Sequence, residues 1–187
     1  MRLFVASSFE PAFAANLKAA ADYARANVDK NAVKWVAPEN FHITYAFLGD
    51  LDASGAAAAA RGMEAGLSGV KAFRVSSGGI GVFPSSGRPS VLWVGIGEGA
   101  AGLREIADKL AAGLAAAGLV VENRFEPHVT IGRVKGPLPE DLIKRAGDFT
   151  RRKKEASALA SVELMESRLT PAGPAYRRVY SKRLLSL

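Results

Sequence analysis

The sequence predicts an α+β fold of mostly antiparallel strands, built as two lobes of one unit spanning residues 1–187. Three observations carry this. Short β-rich runs and helical patterns follow one another in the order β-α-β-β-α-β-β-α-β-α-β-β. That order halves approximately: each half has a helix, a strand with a histidine, a second helix and two further strands. No long linker separates the halves, so they are expected to pack together.

Taken in order, "RLFVAS" (2–7) has the short apolar character of a strand. Phe13, Leu17, Ala20, Ala24 and Val28 recur at helical spacing, and Pro11 suits a first turn because its missing N–H has no helical partner. "VKWV" (33–36) and "HITYAFLG" (42–49) read as strands on either side of an "APEN" turn. Asp52 or Ser54 caps an alanine-rich helix running to about Leu67. Strands are expected over 72–83 and 90–97, the second stopped by glycines. Leu103, Ile106, Leu110 and Leu114 mark one face of another helix, which Gly118 is placed to end. "HVTIGRV" (128–134) is a strand, and "LPEDLIKRAGDF" (138–149) a helix opened by Pro139. Two final strands, 157–169 and 175–187, are expected around "TPAGP".

Composition narrows the chemistry. There is no cysteine, which excludes disulfides, thiolate metal sites and a cysteine nucleophile, and suits a reducing cytoplasm. The N-terminal "MRLFVASSFEP" lacks the length and flanks of a signal peptide or membrane span. A soluble cytoplasmic protein is therefore expected, with no membrane and no obligate protein partner, working as a monomer. A net charge of +7 and a pI near 9.9, with basic clusters at 144–154 and 176–183, invite a polyanionic partner.

Only two histidines occur, and both stand in the same frame: "FHITYAFLGD" (41–50) and "EPHVTIGRV" (126–134). With four threonines in 187 residues, both histidines would have threonine two places later by accident about once in two thousand chains. Period-two alternation puts His42 with Thr44, and His128 with Thr130, on one strand face. Phe41, Ile43, Tyr45 and Phe47 are then expected on the opposite face, and Arg133 opposite His128. Each motif thus offers a titrating group and a hydroxyl over an aliphatic anchor. Two histidines without cysteine, and without an H-E-x-x-H spacing, make a poor metal shell. They suit acid–base work at phosphorus, where a neutral imidazole takes a proton while a protonated one supplies a proton to the leaving oxygen. In-line displacement needs the two groups on opposite sides of the phosphate. Threonine hydroxyls can donate to the non-bridging oxygens as charge builds there.

The paired "HIT" and "HVT" strands resemble those of the 2H phosphoesterase superfamily, in particular its bacterial and archaeal RNA 2′,3′-cyclic phosphodiesterases, also called 2′-5′ RNA ligases. The likeness extends over "MRLFVAS", "VKWVAPENFHITYAFLGD", "GIGVFPSSGRPSVLWVGI", "FEPHVTIGRV" and "ESRLTPAGPAYRRVYSKRL". It implies a bilobal α+β fold, with two antiparallel sheets and outer helices related by pseudo-two-fold symmetry around a central cleft. It further implies hydrolysis, without metal or other cofactor, of 2′,3′-cyclic phosphate ends of RNA or nucleotides to 2′-phosphates, with 2′-5′ ligation as the reverse reaction. Carried over, His42 is the proton donor and His128 the proton acceptor, with exchanged roles left open; Thr44, Thr130 and Arg133 bind phosphate. Two positions depart from the family pattern: Ala46 stands where relatives often carry arginine, and Ser90, with Arg88 just upstream, where another often precedes the "VLW" strand. Tyr45, Phe125 and Tyr176 are weighed as base-stacking residues. The alternatives are a phosphodiesterase for another small substrate (2′-5′ oligoadenylate, a cyclic nucleotide or ADP-ribose cyclic phosphate) and a non-catalytic RNA- or nucleotide-binding module.

Overall fold

The structure, a computed structural model, describes residues 1–85, 88–122, 124–152, 155–171 and 173–186, with side chains omitted at 85, 88 and 89. Leu3, Phe4, Val5, Ala6 and Ser7 are all buried, so β1 (Arg2–Ser7) is covered on both faces. It is the second strand of a four-stranded antiparallel sheet ordered β3 (Ile43–Asp50), β1, β8 (Ser161–Thr170) and β9 (Gly173–Arg183). A second antiparallel sheet runs β2 (Val33–Trp35), β6 (His128–Val134), β5 (Arg88–Ile96), β4 (Phe73–Ser85) and β7 (Ala156–Leu159). Each sheet draws strands from both ends of the chain, so the halves of the sequence interleave.

Four helices flank the sheets: α1 (Pro11–Ala26), α2 (Ala53–Gly66), α3 (Ala100–Ala116) and α4 (Leu142–Arg152). Asp52 caps α2 by accepting the Gly55 N–H at 2.8 Å. Gly118, at φ +83°, closes α3: its N–H donates to Ala115 O at 3.0 Å and the Leu119 N–H to Leu114 O at 2.9 Å, the two bonds of a Schellman ending. Helices α2 and α3 touch through bare backbone, because a Cβ on Gly113 would lie 2.2 Å from Gly62 O. Among the described residues no helix is long and apolar enough to cross a membrane.

The structure shifts three elements. The single strand expected over 157–169 is two strands in different sheets. Ser157 and Leu159 bury against β4, Val162 and Leu164 against β1, and the chain crosses over at exposed Ala160. No glycine or proline marks that crossing, which is why the sequence reads through it. Helix α4 starts at Leu142 rather than at Pro139, whose carbonyl instead accepts the Leu142 N–H in a turn. Its buried stripe of Leu142, Ala146 and Thr150 carries the helix to Arg152. Helix α1 ends at Ala26, where the Asn27 N–H bonds back to Ala24 O at 3.0 Å.

Candidate active site

His42 immediately precedes β3 and His128 opens β6, each followed by a fully buried aliphatic, Ile43 or Val129. The same local bond holds both rings. His42 Nδ1 lies 2.7 Å from Asn40 O and His128 Nδ1 2.7 Å from Glu126 O. A carbonyl can only accept, so Nδ1 carries the hydrogen in each ring. Nε2 is thereby the ring nitrogen left for other partners: an acceptor when the ring is neutral and a donor when it is charged.

Aromatic rings wall both imidazoles. Phe4 lies 5.2 Å from His42 with Tyr176 edge-on at 5.3 Å, and Phe83 packs edge-on 4.8 Å from His128 with Trp93 at 6.3 Å. Burial among these rings lowers the pKa of both histidines from 6.5, and the carbonyl bonds offset part of that shift. The charge of His128 lowers His42 further, whereas Glu126, ion-paired to Arg104 at 2.9 Å, pulls His128 back up. A proton on His128 thus disfavours a proton on His42.

Thr44 and Thr130 are half-buried, and their hydroxyls have no hydrogen-bond partner among the described residues. Thr44 pairs with Ala6 and Thr130 with Trp93. Just after each threonine the ladder slips by one residue. Thr44 opposes Ala6 but Ala46 opposes Val5, so Tyr45 is extra; Thr130 opposes Trp93 but Gly132 opposes Leu92, so Ile131 is extra. These matching bulges overturn the strict alternation expected from the sequence. Phe47, expected in the core, is 76% exposed and shares the His42 face, 6.3 Å from Phe4. Arg133, expected opposite His128, shares its face through the pairing with Val91; burial raises the Tyr176 phenol pKa, and the Arg133 charge is close enough to offset part of that rise. Ala46 pairs with core residue Val5 and is only 7% exposed. An arginine there would have to be buried, so alanine at this position takes no cation from the cleft.

Of the aromatic residues weighed for stacking, Tyr45 and Phe125 stack on each other at 5.4 Å. Tyr45 is buried, with its hydroxyl 3.1 Å from Ser7 Oγ. Tyr176 alone of the three stands at a histidine. It lines, with Phe4, Ala6, Asn40, His42 and Met165, a cavity of about 120 Å³. A larger cavity of about 460 Å³, between residues 68–73 and α3, contains neither histidine. Ser90 Oγ bonds Phe83 O at 3.0 Å, and the Arg88 side chain lies outside the described residues. Sequence reasoning missed Phe4, Phe47, Phe83 and Trp93. Phe4, Phe83 and Trp93 lie one or two strands away from a histidine, and Phe47 is turned by a bulge on the His42 strand itself; only a known register reveals either.

A family model described as "2'-5' RNA ligase superfamily" matches residues 9–167, which include both histidine motifs. The chain belongs to that superfamily. It is 38% identical over 159 residues to the RNA 2′,3′-cyclic phosphodiesterase of Aeropyrum pernix, covering 82% of this chain and 88% of the relative. It is 34% identical over 181 residues to the protein of that name from Archaeoglobus fulgidus, covering 95% and 97%. Among solved structures, TT0787 of Thermus thermophilus superposes with a TM-score of 0.74 at 25% identity, over 100% of this chain and 99% of that one. E. coli LigT complexed with 3′-AMP shares the fold at a TM-score of 0.74 and 24% identity, over 98% and 97%. Two antiparallel sheets with flanking helices are thus the family's architecture, as the sequence predicts.

Proposed function

We propose that this protein hydrolyses 2′,3′-cyclic phosphate ends of RNA to 2′-phosphates by two-histidine acid–base catalysis, with 2′-5′ joining as the reverse reaction. The observation that carries this is the matched pair of imidazoles, each bonded through Nδ1 and each presenting Nε2. Relatives covering most of the chain bear the corresponding name. Residues 1–187 act as one unit, since each sheet is completed by strands from both ends.

In this reading, water attacks phosphorus in line with the departing 3′-oxygen. His128 Nε2 takes the proton from water, and His42 Nε2–H delivers one to the 3′-oxygen. Thr44 and Thr130 donate to the non-bridging oxygens, and Arg133 adds a fixed positive charge on the His128 side. Exchanged histidine roles are the second reading, favoured by one observation: Glu126 biases the shared proton towards His128. No step requires a metal. We place the protein in the cytoplasm, acting as a monomer on RNA ends.

The test is turnover of an RNA ending in a 2′,3′-cyclic phosphate, with product regiochemistry read by mass and by phosphatase sensitivity. A 2′-phosphate product, retained activity in EDTA and loss in both histidine variants support the reading. Activity that survives the double variant rejects it. Tight RNA binding without turnover selects the binding-module alternative. An aryl phosphodiester, whose leaving group needs no proton, separates the roles: the variant lacking the general acid keeps activity on it, and the variant lacking the base does not.

A further inference from the structure

The basic cluster of β9 divides by face. Register against β8 pairs Arg177 with Glu166, and Lys182 with Val162; Tyr176, Arg178, Ser181 and Arg183 oppose Ser167, Met165, Glu163 and Ser161. The contacts agree with this division. On the inner face, Arg177 bonds Glu166 at 2.8 Å, and Lys182 bonds Glu64 of α2 at 2.5 Å. Those two cations are held in ion pairs within the fold, Glu166 being shared with Arg168 at 3.2 Å. On the other face Tyr176 meets His42, and the exposed Arg178 and Arg183 form no ion pair with a described residue. Glu163, in the same row as Ser181, is only 5% exposed; its buried carboxyl feels the charge of Arg178 from beneath this face, while the guanidinium itself stays exposed.

β9 is also the free edge of its sheet. Two residues along a strand cover about 7 Å, so Arg178 stands that far from Tyr176, and Arg183 roughly 15 Å further on. A cyclic mononucleotide held at His42 cannot span that length. A single RNA strand leaving the site along β9 can, and its phosphates would meet two exposed guanidiniums that no ion pair with a described residue ties down.

We infer that the His42-side face of β9, through Arg178 and Arg183, is a track for the phosphodiester backbone of the RNA upstream of the cyclic end. The inference rests on the proposed activity and sharpens it: the substrate is an oligonucleotide strand, and affinity grows with its length. Phosphate contacts of this kind bind without reading sequence, and they weaken with salt.

The experiment compares the native protein with the Arg178→Ala/Arg183→Ala variant on a cyclic mononucleotide and on a short single-stranded RNA ending in cyclic phosphate. A Lys18→Ala/Arg61→Ala variant, altered on outer helices, controls for lost charge. The expected result is an about tenfold or greater fall in kcat/KM on RNA, carried by KM, with mononucleotide turnover within about twofold and the control unchanged. The salt slope of log KM for RNA should flatten by about 1.4, two contacts at about 0.7 each for a single strand. Equal losses on both substrates, or an unchanged slope, overturn the track. If the native protein hydrolyses neither substrate, the proposed activity fails by itself. Fluorescence anisotropy on an RNA with a 2′-phosphate end then reads the same slope, and an unchanged slope there again rejects the track.

Discussion

His42 and His128 are held by one and the same bond, Nδ1 to the carbonyl oxygen two residues upstream, at 2.7 Å in each case. That bond fixes the tautomer, and in the proposed mechanism the fixed tautomer makes Nε2 of each ring the proton-transferring atom. Replacing either histidine by alanine should lower turnover of a 2′,3′-cyclic nucleotide by about 10²–10⁴-fold. The native pH–rate profile should be bell-shaped, and each single variant should lose one limb of it. Steady-state kinetics across pH check both.

With only two histidines in the chain, their ring proton resonances can be followed without ambiguity. Both midpoints should fall below 6.5, because burial disfavours the charged ring. The unfolded chain then binds more protons than the folded one in the window below 6.5, so stability is lost as pH falls through it. Inorganic phosphate should move both midpoints upward by favouring imidazolium. Midpoints above 6.5 in the free protein would contradict the walled site.

The bulges turn Phe47 and Arg133 onto the histidine faces, five residues after His42 and His128 respectively. Arg133→Ala should raise KM and lower kcat together, by about tenfold or more in kcat/KM, since it removes charge beside the phosphate. Arg133→Lys should restore only part of this, because an ammonium lacks the planar fork. Phe47→Ala, on an exposed ring, should leave the melting temperature unchanged while raising KM. Kinetics and thermal melts on the three variants decide.

Glu163 sits on the His42 face with Oε1 accepting from Ser161 Oγ at 2.5 Å and Oε2 buried without a partner. Burial raises its pKa above 4.5, so the folded state holds the proton more tightly than the unfolded chain. The stability that protonation brings is complete below 4.5 and disappears as pH rises through the folded value. Glu163→Gln should therefore stabilise the protein at neutral pH by about 1–3 kcal/mol, with the gain shrinking towards acid pH. Chemical denaturation at two pH values measures it.

Gly113→Ala should destabilise the fold, because its Cβ would fall 2.2 Å from Gly62 O on the facing helix. Forcing α2 and α3 apart costs about 1–3 kcal/mol. Thermal unfolding reads this directly, and the histidine titrations should stay in place in the folded fraction.

Much was written locally in the chain. Periodicity located four helices and most strands; Pro11, Asp52 and Gly118 act where their backbone chemistry requires. The two H-x-T frames singled out His42, Thr44, His128 and Thr130 as the candidate site, because a rare residue used twice in one frame is a strong pattern. What the sequence could not supply was register. A bulge is one extra residue set by pairing with a distant strand, and it reversed the faces of Ala46, Phe47 and Arg133. The same dependence on partners split the expected strand 157–169 between two sheets and put the ion-paired Arg177 and Lys182 on one face of β9, with the exposed Arg178 and Arg183 on the other. Residue types and spacings picked out the candidate histidines and threonines; which side chains share their strand faces was decided by long-range strand pairing, which no local period encodes.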